Sequence, residues 1–214
     1  MDDLQAITDN LIKGRATEVK ELIQAALDAG ISAGDILNKG LIAGMSVVGE
    51  RFGKKEIFLP EVLLSARAMQ AGMSILQPIL SASGVKPLAK VALGTVQGDI
   101  HEIGKNLVGA MLRGGGFEVI DLGIDVPPQK FVDVIEQGVP LIGMSSLVST
   151  SMPSMKSTIE ALEKAELRKQ VKVMVGGAIV TQAYADKIGA DGYASDAGSA
   201  VNKAKELLGL SVSG

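Results

Sequence analysis

The stretch VALGTVQGDIHEIGKN, residues 91–106, has the pattern of a buried strand, a polar loop and the start of a helix. VALGTV is a continuous, mainly apolar run, which predicts a strand that is buried on both faces. Gly98 and Gly104 border the loop after it, and a helical pattern then continues to about Arg113. A buried strand, a loop and a helix together form one unit of a parallel α/β sheet.

The same alternation of strand and helix continues to the end of the chain. The later predicted strands are 117–122, 140–145, 171–176 and 192–194, and the helices that follow them begin near Pro128, Ser154, Gln182 and Ala197. Five such units predict a flavodoxin-like parallel sheet with the strand order 2-1-3-4-5 and helices on both faces. In that order a ligand binds at the carboxyl ends of strands one, three and four.

Residues 1–83 have a different pattern, in which apolar side chains recur every three or four positions. This helical spacing predicts four helices. The third is capped by Ser32, the fourth has Pro60 in its first turn, and the apolar stripe of the third is Leu37, Leu41, Met45, Val48 and Phe52. Asp35 follows Ser32 in a capping-box-like position. Four helices with short connections favour a small antiparallel bundle.

A change of composition separates the two patterns. The stretch SASGVKPLAK, residues 81–90, is rich in Ser, Gly, Lys and Pro, which is typical of a linker. The sequence therefore predicts a helical domain at residues 1–83 and an α/β domain at residues 90–214.

The composition excludes several kinds of site. The 214 residues include no Cys and one His, which excludes thiolate chemistry, disulfides, iron–sulfur clusters and multi-histidine metal sites. A net charge of −3, with four Phe, two Tyr and no Trp, argues against a nucleic-acid surface. The start of the chain lacks a basic signal-peptide segment, and no apolar run approaches the roughly 18 residues that span a bilayer. We therefore expect a cytoplasmic protein with neither a nucleic-acid nor a membrane partner.

The loop after the first strand contains the only histidine, His101, two positions after Asp99. A lone imidazole cannot hold zinc, but it can complete the coordination of an ion whose other ligands belong to a macrocycle. A carboxylate on the second ring nitrogen would fix the tautomer and strengthen the donor. For this motif taken alone, an exposed histidine near a helix start is an equally good interpretation.

Hydroxyl groups and glycines are concentrated after strands three and four. Residues 145–151 have the sequence SSLVSTS, and Gly176 and Gly177 follow the fourth strand. Serines in such places also act as helix caps, and paired glycines are often only turns. Here, however, the three loops coincide with the predicted ligand edge, where glycines would let a flat ligand approach the backbone.

Three short motifs together resemble the signature of cobalamin-binding domains. They are Asp99-x-His101-x-x-Gly104, Ser145-x-Leu147 and Gly176-Gly177. The helical half, with KKEIFLPEV at residues 54–62, is similar to the cap module of methionine synthase and of the small corrinoid proteins of methanol- and methylamine-type methyltransferase systems. This resemblance covers nearly the whole chain and implies a cobalamin or related corrinoid, with its cobalt, as the cofactor.

The resemblance also implies roles for individual residues. His101 corresponds to the lower axial ligand of cobalt, Asp99 to its hydrogen-bond partner, and Ser151 to a further member of a ligand triad. Contact with the cofactor is implied for Gly98, Ile100, Glu102, Ile103, Gly104, Ser145, Leu147, Ser149, Gly176, Gly177 and Phe58. Hydroxyls at positions 146 and 150 leave the register of the last two serines of this loop open by one residue. Glu102 stands where Asp is frequent in the family.

The helical cap of this family lies over the reactive face of the corrin. The resemblance therefore implies that Ile57, Phe58 and Leu59 shield a cobalt-bound methyl group, with the linker as the hinge of a gate. The alternative is that these side chains close the core of the bundle.

In function the chain resembles a methyl carrier of one-carbon metabolism. A substrate methyltransferase would transfer a methyl group to Co(I), and a corrinoid:tetrahydrofolate or corrinoid:thiol methyltransferase would remove it, with a reductive activation protein as a further partner. The substrate domains of methionine synthase and the barrel of the mutases do not fit in 214 residues, so the isolated chain is not expected to be an enzyme. A cobalamin sensor or storage module is the alternative, and the methyl donor and acceptor stay open.

Overall fold

The computed structural model describes residues 3–82 and 86–210, which divide into two compact units. The helical unit contains the described residues up to Pro87 together with Arg113–Gly116, and the α/β unit contains the others. Residues 83–85 of the predicted linker lie outside the described residues. The predicted domain bounds and the hinge therefore stay predictions.

All the regular secondary structure that is described in the helical unit is helical. Its elements are α1 Asp3–Ile12, α2 Ala16–Asp28, α3 Ala33–Asp35, a π-helical segment Ile36–Ile42, α4 Ala43–Gly53 and α5 Leu59–Ala82. The backbone stays helical from α3 through the π-helical segment into α4. These three elements thus form one continuous helix. Together with α1, α2 and α5 it gives the four helices that the sequence predicts.

Both predicted helix starts are confirmed. The Ser32 hydroxyl oxygen accepts a hydrogen bond from the Asp35 amide at 3.0 Å, which is the geometry of an N-cap. Pro60 is the second residue of α5, where its missing N–H removes no helical hydrogen bond.

The π-helical segment changes which residues are buried. The predicted apolar stripe of the third helix begins at Leu37, but Ile36 is the buried residue and Leu37 is only partly buried. Hydrogen bonds from residue i to i+5 add about one residue per turn, so the stripe runs through Ile36, Leu41 and Met45. The Thr8 hydroxyl on α1 donates to the Gly40 carbonyl of the wide turn at 2.9 Å.

The α/β unit alternates strands and helices as predicted. Its elements are β1 Lys90–Val96, α6 Ile103–Gly114, β2 Glu118–Val126, α7 Pro128–Glu136, β3 Leu141–Ser145, α8 Met152–Lys164, a 3-10 turn Arg168–Gln170, β4 Lys172–Gly176, α9 Gln182–Ile188, β5 Gly192–Ala194 and α10 Ala197–Leu207. All strand pairs are parallel, and the order is β2-β1-β3-β4-β5. The predicted flavodoxin-like order is confirmed.

Two apolar cores lie on the two faces of the sheet. Ala92 of β1 packs in one core with Phe131 of α7 and Met155 of α8. Its neighbour Leu93 packs in the other core with Leu112 of α6 and Ala200 of α10. Because successive side chains of a strand point to opposite faces, helices cover both sides of the sheet.

Strand β2 is longer than predicted, because it contains two bulges. Leu93 and Gly94 are consecutive in β1 but pair with Asp121 and Gly123, and the next register shift lies between Gly123 and Val126. At each shift β2 contains one residue more than β1. The predicted end at residue 122 is therefore wrong, since Gly123 and Asp125 resemble turn residues but belong to a bulged strand that ends at Val126.

Candidate functional site

The strand register brings the ends of β1, β3 and β4 together. Thr95 pairs with Ser145, and Ser145 pairs with Gly176, in one row across the sheet. The loops that follow these strands therefore leave the sheet side by side. This is the edge at which the strand order predicts a ligand.

His101 is bound to Asp99 at this edge. The imidazole Nδ1 lies 2.7 Å from Asp99 Oδ1, and the His101 amide donates to the same oxygen at 3.0 Å. The Asp99 side chain is fully buried, whereas the His101 side chain is 51% exposed. The loop thus holds one ring nitrogen against a buried carboxylate and leaves the rest of the imidazole accessible.

The second carboxylate oxygen of Asp99 is held by the loop after β3. Asp99 Oδ2 accepts hydrogen bonds from the Leu147 amide at 2.7 Å and from the buried Ser151 hydroxyl at 3.0 Å. The structure thus brings together the three residues of the predicted triad, His101, Asp99 and Ser151. It is Ser151, and not the exposed Ser149, that bonds to Asp99.

These contacts determine the charge of Asp99 and the tautomer of His101. Burial by itself raises the pKa of the Asp99 carboxyl, but hydrogen bonds from the Leu147 and His101 amides and from the His101 and Ser151 side chains outweigh it. The pKa of Asp99 is therefore held well below its ordinary value. An ionised carboxylate only accepts, so Nδ1 of His101 carries the hydrogen and Nε2 of the neutral ring carries a lone pair.

Sequence reasoning assigned no role to two groups that contact this array, or to a buried lysine at the start of α6. The buried Ser146 hydroxyl lies 2.7 Å from the Ser151 hydroxyl, and the buried Thr95 hydroxyl donates to the His101 carbonyl at 2.9 Å. The buried Lys105 ammonium donates to Asp121 Oδ1 at 2.6 Å and so ties the first turn of α6 to β2. Each pairing depends on which loop residue turns inward, and a single sequence does not contain that information.

Exposed aliphatic side chains surround the carboxyl edge of the sheet. This aliphatic rim consists of Ile100, Ile103, Ile124, Leu147 and Ile179, which are between 38% and 70% exposed. Ile124 belongs to β2, and the others follow β1, β3 or β4. Large apolar groups that cluster on a surface are typical of a binding site. The resemblance implies contact with the cofactor for Ile100, Ile103 and Leu147. Ile124 and Ile179 were not predicted, because a single aliphatic residue carries no signal of its exposure.

The glycines of the three motifs have different environments. Gly98 has φ +84°, and Gly177 has φ +127°, a backbone region that side-chain-bearing residues rarely occupy. A Cβ atom on Gly177 would also lie 1.9 Å from the Ser146 carbonyl oxygen, and one on Gly176 would lie 3.0 Å from the Ala194 carbonyl oxygen. Close packing against neighbouring carbonyl groups is therefore enough to explain why both positions are glycine. That a ligand approaches these glycines stays a prediction. A Cβ on Gly104 would meet no atom within 4 Å.

The remaining predicted contact residues occupy separate positions. Ser145 is partly buried at the end of β3, and Glu102 is exposed in the loop after β1. Phe58 belongs to the helical unit, where it immediately precedes α5 and is 67% exposed. Ile57 and Leu59 beside it are partly buried.

The described part of the chain contains no ready-made metal centre. In residues 3–82 and 86–210 no three His, Cys, Asp or Glu side chains come together in a way that could hold an ion. Within the same residues, none of the helices combines the length and the apolar character needed to cross a bilayer.

Comparison with protein families assigns both units to the same cofactor. Residues 89–202 match a family described as a B12 binding domain, and residues 3–77 match a second family with the same description. The chain belongs to the B12-binding family.

Relatives of this B12-binding protein are corrinoid proteins. It is 46% identical over 208 residues to the dimethylamine corrinoid protein of Methanosarcina barkeri, covering 96% of this chain and 97% of that protein. The crystal structure of a cobalamin-binding protein from Desulfitobacterium hafniense DCB-2 is similar, with a TM-score of 0.80, 30% identity and coverage of 97% of this chain and 99% of that chain. A chain of the methanol:cobalamin methyltransferase complex MtaBC from Methanosarcina barkeri matches with a TM-score of 0.87 and 30% identity, covering 97% of this chain and 80% of that chain.

The residues of the B12-binding domain fit a corrinoid. A corrinoid brings most of the ligands of its cobalt with it, so one nitrogen of the protein would be enough to bind the ion. His101 fits this requirement, because Nδ1 is bonded to Asp99, Nε2 is the second ring nitrogen, and the side chain is 51% exposed. The aliphatic rim beside it is an apolar surface against which a large flat ring can pack.

Proposed function

We propose that this chain is a methyl carrier, in which His101 is the lower axial ligand of a protein-bound corrinoid. The observation that carries the proposal is the array of His101, Asp99 and Ser151 at the carboxyl edge of the sheet. In this array every polar atom of a buried carboxylate is satisfied by the chain, and one imidazole nitrogen is left for a ligand.

Asp99 fixes the orientation of the imidazole and stabilises it in two protonation states. When Nε2 binds a metal ion, the carboxylate holds the hydrogen on Nδ1 and strengthens the donor. When Nε2 is free it can hold a proton, and the negative charge of Asp99 then neutralises the imidazolium. Ser151 and the Leu147 amide keep the carboxylate in place in both cases.

Other residues of the same edge are proposed to bind the cofactor. The aliphatic rim supplies the apolar contact, and the loop at Gly98 and Gly104 lets the backbone approach the ring. Ser145, Ser149 and the Gly176-Gly177 pair are proposed to hold the nucleotide tail. For Phe58 we propose a contact from the cap.

When bound, the corrinoid supplies the nucleophilic cobalt that accepts a methyl group and later gives it up. The relatives support a carrier that works with separate enzymes, since one of them belongs to a methanol:cobalamin methyltransferase complex. We propose a substrate methyltransferase as the first partner and a corrinoid:tetrahydrofolate or corrinoid:thiol methyltransferase as the second. A reductive activation protein and a cytoplasmic location complete the proposal.

The axial ligand is tested by electron paramagnetic resonance of the full chain loaded with cob(II)alamin. We expect the splitting of an imidazole nitrogen in the wild-type spectrum and its loss in His101→Ala. Glu136→Ala is the control, because this exposed side chain at the end of α7 is not among the proposed contact residues and should leave the spectrum unchanged. Identical spectra of the wild type and His101→Ala would refute the ligand assignment.

The carrier role is tested by methyl transfer. The reduced, cobalamin-loaded chain should become methylated when a cognate methyltransferase and its donor are present, and not by the donor alone. Dimethylamine and methanol, with their methyltransferases, are the first donors to try, because relatives carry these names. Normal ligation without methylation by any methyltransferase would favour the sensor or storage alternative.

A further inference from the structure

Asp125 lies in the second bulge of β2, beside the loop that carries His101. Between the paired positions Gly123 and Val126, β2 contains one residue more than the facing segment of β1. Asp125 has φ +50°, in the left-handed region that few side-chain-bearing residues adopt. Bulges of this kind are enriched near active sites, where they redirect a side chain.

Two hydrogen bonds join Asp125 to the His101 loop in both directions. The Asp125 amide donates to the Asp99 carbonyl at 2.9 Å, and Asp125 Oδ1 accepts from the Gly98 amide at 2.7 Å. Both contacted residues immediately precede the segment that presents the imidazole. An exposed aspartate therefore holds the main chain of Gly98 with its carboxylate and the main chain of Asp99 with its amide.

The loop needs such an anchor because of Gly98. This residue has φ +84° and no side chain, so the local chain does not restrict its own backbone. From β1, the Thr95 hydroxyl holds the His101 carbonyl, and the Val96 carbonyl holds the Asp99 amide. Asp125 adds a contact from the neighbouring strand, at the residue where the loop begins.

We propose that Asp125 is a positioning residue that fixes the His101 loop in its ligand-presenting conformation. Aspartate suits the position because it tolerates the left-handed region and has a short side chain with an acceptor oxygen. The main-chain part of this inference stands on the loop geometry alone. Its consequence for cobalt ligation rests on the proposed function.

Three variants separate the two properties of Asp125, which are its acceptor oxygen and its tolerance of the left-handed backbone region. Asp125→Asn keeps an acceptor oxygen and tolerates the left-handed region, so it should behave like the wild type. Asp125→Gly keeps the backbone conformation but lacks the acceptor, and Asp125→Ala lacks both. We therefore expect the loop to be most ordered in the wild type and in Asp125→Asn, less ordered in Asp125→Gly and least ordered in Asp125→Ala.

Hydrogen exchange of the full chain without corrinoid is the first measurement. In Asp125→Gly and Asp125→Ala the Gly98 amide should exchange about tenfold faster than in the wild type, because its acceptor is lost. Asp125→Asn should restore the slow exchange, and the amide of Ile142 in β3 is the internal reference. Unchanged exchange at Gly98 in the Ala variant, even with a lower melting temperature, would overturn the proposal.

Ligation of cob(II)alamin is the second measurement. The fraction of molecules with imidazole nitrogen splitting should fall in Asp125→Ala and recover in Asp125→Asn. Faster exchange at Gly98 with full ligation in the Ala variant would refute a positioning role toward the ligand. If the wild type itself lacks the splitting, the proposed function fails, and the exchange data still decide whether Asp125 orders the loop.

Discussion

Two aspartates at opposite edges of the sheet, Asp99 and Asp191, accept main-chain and side-chain hydrogen bonds. At the amino edge, Asp191 Oδ2 accepts from the Val173 amide at 2.8 Å and lies 2.8 Å from the Arg168 guanidinium. The same guanidinium donates to the Val171 and Gly189 carbonyls. This cluster joins the start of β4 to the start of β5.

The difference between the two aspartates lies in their partners. Arg168 uses its donors on Asp191 and on main-chain carbonyls, so the amino-edge cluster is closed on itself. His101 uses one ring nitrogen on Asp99, and its side chain is 51% exposed. A carboxylate that is hydrogen-bonded to several groups therefore does not by itself identify a functional site. What identifies it is a partner with a donor or acceptor position that the chain does not use.

The largest effect is expected from Asp99→Asn. The amide has the size of the carboxylate but presents an NH2 group to donors on one side, so a buried contact is lost. We expect the free energy of unfolding to fall by about 3 kcal/mol and most of the imidazole splitting to disappear. Urea unfolding and the cob(II)alamin spectrum measure the two effects. Wild-type stability and a wild-type spectrum in this variant would show that Asp99 does not differ from Asp191 in its effect on the imidazole.

A smaller effect of a different kind is expected from Asp191→Asn. Here the pair with Arg168 is weakened, and both side chains are about one-fifth exposed. We expect a loss of about 2 kcal/mol in the free energy of unfolding. The imidazole splitting should stay at the wild-type level. Loss of ligation in this variant would show that the amino edge also supports the site.

The pH dependence of stability sharpens the comparison. Because the pKa of Asp99 is lower in the folded chain than its ordinary value of 3.8, the unfolded chain binds more protons in acid. The stabilisation by this carboxylate is present above the ordinary value and is lost as the pH falls toward the folded pKa. Through this carboxylate the free energy of unfolding changes by at most about 1.4 kcal/mol per pH unit. Urea titrations below about pH 5 should show a shallower slope in Asp99→Asn, and equal slopes would contradict the assignment.

The smallest effect is expected from the serine pair. Ser151→Ala removes one donor to Asp99 and should reduce the free energy of unfolding by about 1 kcal/mol. Ser149→Ala is the matched control, since this exposed serine should contribute close to zero. Equal losses in the two variants would mean that the hydroxyl contact with Asp99 has no energetic weight.

The strand order could be predicted from the sequence because it depends on features that are local. Continuous apolar runs such as that of β1 indicate burial on both faces, and their alternation with helical patterns leaves few possible topologies. The π-helical segment and the bulges of β2 could not be predicted. Each inserts one residue into a regular period, and the sequence of such a segment also fits a regular helix or a turn.

Some residues of the candidate site could be predicted from the sequence, and others could not. The proximity of Asp99, His101 and Ser151 follows from the topology and the resemblance, and the structure brings the three together. Asp125 was missed because its role depends on a bulge, and its neighbours Gly123 and Pro127 resemble a turn. The role of Ser146 depends on the side to which one loop residue turns, which is decided by packing and not by local sequence.

The π-helical segment in residues 36–42 also bears on how the length of this chain can vary. The buried residues that follow Ile36 are Gly40, Leu41, Gly44 and Met45. If one residue between Ile36 and Gly40 were removed, they would have the three- and four-residue spacing of an ordinary α-helix. Asn38 is exposed and lies in this interval. A homologue that lacks one residue here could therefore keep the same inward face on an ordinary α-helix. The wide turn is where an insertion or deletion leaves the packing face in register.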